Sequence, residues 1–283
     1  MLRSVQARVL GAADEAAVRD LLALDPVGTC MLAGRIETHG TAVATLGAPL
    51  WGLWSGSRLD AVCLAGANLI PFARPGAEHA AAGAFAERAR RAGRRCSTIV
   101  GPASSVLPLW ELLAPVWGPA REVRARQPLL AIDGPPTVPV EPRVRPVLPG
   151  ELDTLLPAAV AMFTEEVGVS PTRVDGGAAY RARVAELVRA GQSLAWIEDG
   201  QVLFKADVGA VSRAACQLQG VWVAPQFRGQ GIGQRGTAAV VEYARTAIAP
   251  VVSLYVNDYN RAARAAYDRV GFRQVGTYSS VLF

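Results

Sequence analysis

Lysine is nearly missing from this chain. Lys205 is the only one, so the remainder of the 29 basic residues are arginine. Against 24 acidic residues they leave a formal charge of +5. Alongside abundant Ala, Gly, Pro and Val, that arginine bias reads as GC-rich coding rather than a surface evolved for polyanions. No basic run interleaved with aromatics marks a nucleic-acid reader, and Arg88 to Arg95 reads as the solvated end of a helix. Histidine is as scarce: His39 and His79 both lie in the first half, which argues against a His-based metal site or catalytic triad. Cys30, Cys63, Cys96 and Cys216 are scattered with no CxxC pair, pointing to reduced cytosolic thiols rather than a disulfide frame or zinc site. No uncharged apolar run approaches membrane-spanning length. Arginines at 3 and 8 lead to Asp14 and Glu15 without the apolar segment of a signal peptide. The expectation is a cytoplasmic protein with no metal, no nucleic-acid partner and no membrane, and compatible with an oligomer.

What is present is core-forming material. The 283 residues are 51% hydrophobic and 19% charged, enough for two ordinary domains or one large one. The clearest break is Gly134-Pro135-Pro136-Thr137-Val138-Pro139-Val140-Glu141-Pro142, where proline density favours an extended spacer. This gives domains at 1–133 and 143–283 with a linker at 134–142. The halves read alike. Arg8-Val9-Leu10 precedes a helical pattern from Asp14 to Leu24, and Arg145-Pro146-Val147 precedes one from Glu151 to Phe163. A hairpin follows in each, turning at Ser55-Gly56 and at Asp199-Gly200. Helix, strand, helix, strand then complete both: Glu78–Ala92, Ser97–Val100, Val106–Val116 and Gln127–Ile132, against Ile232–Ala247, Val251–Val256, Arg261–Val270 and Phe272–Leu282. The order implies two similar α/β domains (α+β in arrangement), each a mixed central sheet flanked by helices.

Only the second half carries a glycine-rich turn. Val221-Trp222-Val223 stops at Ala224-Pro225, and Arg228-Gly229-Gln230-Gly231-Ile232-Gly233 leads straight into a helix. Glycines there allow a tight turn with bare N–H groups, and the helix start adds its positive end, which together make a pyrophosphate receptor. The equivalent stretch of the first half, Phe72-Ala73-Arg74-Pro75-Gly76-Ala77, lacks the repeated glycines. Gly231, Gly233 and Gly236 also spell GxGxxG, but several elements precede them and no acid ends the next strand, unlike a dinucleotide fold. No GK[ST] follows, so a kinase-type P-loop is excluded.

The Arg-x-x-Gly-x-Gly pattern at 228, 231 and 233, after Val223-Ala224-Pro225, resembles the acyl-CoA site of the GNAT superfamily of N-acyltransferases. Asn260-x-x-Ala263-x-x-x-Tyr267-x-x-x-Gly271-Phe272 is similar to that family's second signature. The resemblance covers roughly residues 143–283. The first half is similar only in element order, like a degenerate copy, and the layout resembles two-domain actinobacterial acetyltransferases. It implies acetyl-CoA as co-substrate and direct attack of an acceptor amine within a ternary complex, a strand N–H stabilising the tetrahedral species. Val221, Trp222 and Val223 would offer backbone to the pantetheine arm, and N–H groups from Arg228 to Gln234 would hold the pyrophosphate. Asn260 and Asn257 would touch the arm, and Tyr267 would protonate the departing thiolate.

One departure stands out. Many members carry a glutamate on the strand before the loop, where this chain reads Cys216-Gln217-Leu218-Gln219-Gly220, and glutamine takes up no proton at neutral pH. Glu165 and Glu166, at the end of the first helix of the second half, are the replacement candidates for general base. Adjacent carboxylates on a helix point apart, so at most one of the two is expected to face the site, and the pair also reads as an exposed, charged helix end. Asp207 is a weaker candidate and reads as a solvent-facing strand carboxylate. Trp196 and Trp222 read as pocket walls or core. The alternative function is an acyl-CoA-binding sensor or regulatory module with little activity.

Overall fold

Both halves begin with the same small device. In the computed structural model, which describes residues 6–173 and 175–283, strand β1 (Arg8–Val9) sends Arg8 forward to Asp14, Nη1 to Oδ2 at 2.8 Å. Asp14 also accepts the Gly11 N–H at 2.9 Å, and helix α1 (Glu15–Leu22) starts directly after it. In the second half Arg145 of β7 (Arg145–Pro146) binds Glu151 at 2.8 Å, and Glu151 accepts the Leu148 N–H at 2.8 Å before α6 (Leu152–Val167). The residues paired are six apart in both cases. Arg3, part of the leader reading, lies outside the described residues.

The first unit comprises residues 1–129, 255–259 and 274–283. Its hairpin of β2 (Leu50–Ser55) and β3 (Arg58–Ala65) closes at Gly56, and β4 (Asn68–Ala73) extends it antiparallel. Strand β5 (Thr98–Pro102) follows parallel to β4. Side chains alternate between faces. Trp51, Leu53, Ala61 and Cys63 pack against α4 (Glu78–Ala92) and α5 (Ala103–Trp117). Leu50, Val62 and Leu64 pack with α1, α2 (Cys30–His39) and α3 (Val43–Leu46) instead.

Beyond β5 the unit is completed by β12 (Arg273–Leu282), paired antiparallel from Tyr278↔Pro102 to Leu282↔Thr98, and then by β6 (Glu122–Ile132). The C-terminal strand therefore lies in the first unit, unlike the division at 143–283. The reason is ladder satisfaction: β12 gives β5 the partner that its free edge needs. Tyr278 seals the arrangement with its hydroxyl on the Gly28 carbonyl at 2.7 Å.

The second unit comprises residues 130–254 and 260–273. Its strands run β11 (Val251–Tyr255), β10 (Ala215–Val223), β9 (Gln201–Val211), β8 (Ser193–Glu198) and β7. All neighbours are antiparallel except β10 and β11. The β8–β9 turn uses Asp199 and Gly200, as the sequence implies. Helices α6 and α7 (Ala178–Arg189) cover Ala195 and Val202. Helix α8 (Ile232–Ala247) lies close on β9: a Cβ at Gly236 would come within 2.7 Å of Phe204. Helix α9 (Arg261–Val270) follows β11. Each unit is thus a mixed sheet flanked by helices. The stretch at 134–142 is no free spacer, since Thr137 bonds through N and Oγ1 to the Val270 and Arg269 carbonyls, and Glu141 N to Arg235 O.

Candidate functional site

The site grows out of one interrupted ladder. Pairing of β10 with β11 runs from Ala215↔Val251 to Gln217↔Ser253. On the other side, the β9 register shifts between Gln219 and Trp222. Gly220 sits in that shift at φ +59, a backbone conformation costly for other residues. Val221, Trp222 and Val223 then continue β10 past its β11 pairing and line a cavity of 530 Å³.

After Ala224, residues Pro225–Phe227 make one 3-10 turn and Arg228 is extended. Gly231 takes φ +75 and caps α8 with no side chain on the first-turn N–H groups. Those groups have no intrahelical acceptor, so an anion meets donors and the positive helix end together. Gly229, Gly231, Gly233 and Gln234 line the cavity with Arg228. Gln230 points away, its amide on the Gln226 carbonyl at 3.4 Å, and the Ile232 side chain is buried, so only their backbone is available.

The opposite wall is α9. Asn260 caps it, with Oδ1 accepting the Ala263 N–H at 3.1 Å and its amide nitrogen left to donate to a ligand. Ala262, Ala263, Ala265 and Ala266 keep that wall low. Tyr267 is 8% exposed, stacks edge-on against Phe272 at 5.9 Å and lines the cavity. Burial, and then the negative charge of Glu166, push its phenol well above its usual range. No hydrogen-bond partner among the described residues takes its hydroxyl.

The two glutamates at the end of α6 part company. Glu165 lines the cavity, accepting from Trp222 Nε1 at 3.1 Å and from Arg228 Nη2 at 2.7 Å. Glu166 is exposed and bears electrostatically on Tyr267 and Tyr180. Asn257 falls in the first unit, its Oδ1 taken by Gln127 Nε2 at 2.9 Å, and is not among the lining residues.

Asp207 is not the solvent-facing carboxylate read from sequence. It is 6% exposed, 2.6 Å from the Nζ of the fully buried Lys205 and 2.7 Å from Ser193 Oγ. Alternation places Lys205 and Asp207 on one strand face, and the ion pair makes that burial tolerable. Lys205 Nζ also donates to the Gly220 carbonyl at 3.2 Å. Trp196 is core, with Arg143 stacked 3.8 Å over its ring, whereas Trp222 is half-buried and does wall the cavity. Of the strand glutamines, Gln217 is buried and Gln219 lies exposed over Gly209. Sequence reasoning missed Phe227, Thr237 and Arg269 as lining residues. Only Thr237 carried a signal, as a polar residue on the apolar face of α8.

A comparison with the curated proteins found no match. Residues 48–155 match the model of a family described as a domain of unknown function, DUF4081. Among solved structures, a Drosophila protein aligns over 98% of this chain and 98% of its own, with a TM-score of 0.68 and 12% identity. A GCN5-related N-acetyltransferase from Sphaerobacter thermophilus covers 99% of this chain and 95% of its own, at 0.55 and 18%. A tandem GNAT protein from the clavulanic acid biosynthesis pathway covers 98% of each chain, at 0.50 and 17%. At such identities the likeness is one of fold, here a tandem of mixed α/β units. Residues 175–272 match the model of the acetyltransferase (GNAT) family, and the chain therefore carries a GNAT-family acyltransferase domain that contains the glycine turn, the start of α8 and Tyr267.

Proposed function

We propose that this chain is an acetyl-CoA-dependent N-acetyltransferase of the cytoplasm, using one acyl-CoA site, in the domain at 143–283, and no metal. The degenerate first domain (1–133) lacks the glycine turn. The observation that carries the reading is the convergence, on one 530 Å³ cavity, of an anion-receiving helix start, a strand edge and Tyr267. The residues fit the ligand. The uncapped N–H groups of Ile232, Gly233 and Gln234, with Arg228, suit a pyrophosphate. The edge at Val221, Trp222 and Val223 suits an amide-bearing arm laid alongside it as an added strand.

Acetyl-CoA supplies the thioester. The acceptor's amine nitrogen attacks the thioester carbon, forming the C–N bond of a tetrahedral species, and its collapse breaks the C–S bond as Tyr267 gives its proton to the leaving thiolate. The proton lost by the amine goes to the carboxylate end of α6, at Glu165 or Glu166. Lys205 fixes the Gly220 carbonyl, and a planar trans peptide directs the Val221 N–H to the opposite side, available to the thioester oxygen.

A thiol-release assay with acetyl-CoA over a panel of amines tests this, wild type beside Tyr267→Phe. Turnover on an amine that falls with Tyr267→Phe supports it. Binding of acetyl-CoA with no turnover on any amine class favours the second reading, an acyl-CoA sensor. That reading draws on the glutamines at 217 and 219, where a strand base is missing.

A further inference from the structure

Thr237 lies in α8 four residues beyond Gly233 and three beyond Gln234, so the three share one helix face, and all line the cavity. Its residue is 0% exposed, yet its Oγ1 has no hydrogen-bond partner. A threonine inside a helix commonly returns its hydroxyl to the carbonyl four residues back. Thr38, Thr164 and Thr246 of this chain do so, each at 2.8 Å to Gly34, Val160 and Glu242. Thr237 leaves the Gly233 carbonyl alone. Valine would fill the same space without burying an unmet hydroxyl, so packing does not explain this residue. The cavity does.

Position along the helix names the partner. Four residues at about 1.5 Å each put Thr237 roughly 6 Å further along α8 than Gly233. If the phosphates sit at the helix start, residue 237 lies level with the next part of the ligand, the amide-bearing arm between pyrophosphate and thiol. We infer that Thr237 is a specificity-determining residue whose hydroxyl bonds an amide of the acyl-CoA arm, opposite the β10 edge; this rests on the acyl-CoA reading above.

The test is isothermal titration of wild type, Thr237→Val and Thr237→Ser with CoA, acetyl-CoA and 3′,5′-ADP, which lacks the arm. Thr237→Val is expected to melt no lower than wild type, because it removes an unmet buried polar group. It should bind CoA and acetyl-CoA about tenfold more weakly, roughly 1.4 kcal/mol, and 3′,5′-ADP as tightly as wild type. Thr237→Ser should keep wild-type affinity. Unchanged CoA affinity in Thr237→Val overturns the inference, as does an equal loss for 3′,5′-ADP, which would mark a general distortion. A loss for acetyl-CoA alone also overturns it, by assigning the hydroxyl to the acyl group. If wild type binds none of the three ligands, the acyl-CoA reading itself fails and takes the inference with it.

Discussion

Arg228 Nη2 lies 2.7 Å from Glu165 Oε2, while Arg228 Nε holds the Val223 carbonyl at 3.0 Å. The arginine of the glycine turn is thus tied to the carboxylate at the end of α6. Both side chains are about half exposed, at 48% and 47%. An exposed pair of this kind contributes only about 0.2–1 kcal/mol, which a bidentate phosphate contact can outbid.

Removing the competitor should therefore help the phosphate. Glu165→Gln is expected to bind 3′,5′-ADP about threefold more tightly, within the worth of an exposed ion pair. Titration calorimetry checks this. Weaker binding would mean that Glu165 positions Arg228 rather than competing for it.

Tyr267→Phe removes a hydroxyl without changing the ring. The expected result is a fall of about 10²–10⁴ in kcat, the usual worth of a positioned acid, with acetyl-CoA affinity within about twofold. The pH profile follows from the raised phenol. Burial and Glu166 both favour the protonated form, so the acid is fully present through neutral pH. Its loss begins only above the ordinary phenol value of 10.0. No descending limb assigned to Tyr267 should appear below that pH.

The buried pair of Lys205 and Asp207 predicts an asymmetry in stability. Lys205→Met strands an unpaired carboxylate and should cost about 3–5 kcal/mol, whereas Lys205→Met with Asp207→Leu should recover most of that loss. Urea unfolding of the two variants measures it. Equal destabilisation by both would show that the pair matters for shape rather than charge.

Glu151 predicts an acid limb. The Arg145 guanidinium, followed by the Leu148 N–H, lowers its carboxyl from 4.5 to about 2. Since the folded value is depressed, its stabilisation is present above pH 4.5 and is lost as pH falls through about 2. Both partners are partly exposed, at 46% and 25%, so screening leaves about 1 kcal/mol. Glu151→Gln should lower stability by that amount at pH 7 and by progressively less as pH falls through about 2. Unfolding curves at both pH values test the sign.

What the sequence made legible is local. The turns at Gly56 and Asp199-Gly200 and the helix starts at Ile232 and Arg261 depend on a few adjacent residues. So does the cavity wall from Arg228 to Gly233. Partners distant in the chain left no such trace. The pairing of β12 with β5 joins segments far apart in sequence, and nothing near Arg273 announces it. Asp207 looked solvent-facing because an alternating strand pattern does not say what covers each face. Here Met162 of α6 comes down over Gly220 beside Lys205 and Asp207, as a Cβ built at Gly220 would meet all three. Thr237 stands out in sequence as a polar residue on the apolar face of α8, but nothing local shows that its hydroxyl lacks a partner.

The central claim is that the cavity beside Gly231 holds acyl-CoA. Titration of acetyl-CoA into wild type and Gly231→Val tests it most directly, since a branched residue at φ +75 must rebuild the turn that presents the N–H groups. The account predicts one molecule bound per chain, competed by 3′,5′-ADP, with affinity reduced at least about tenfold in a variant that keeps its far-UV circular dichroism. Binding that is indifferent to Gly231→Val, or no binding to wild type at all, would contradict it.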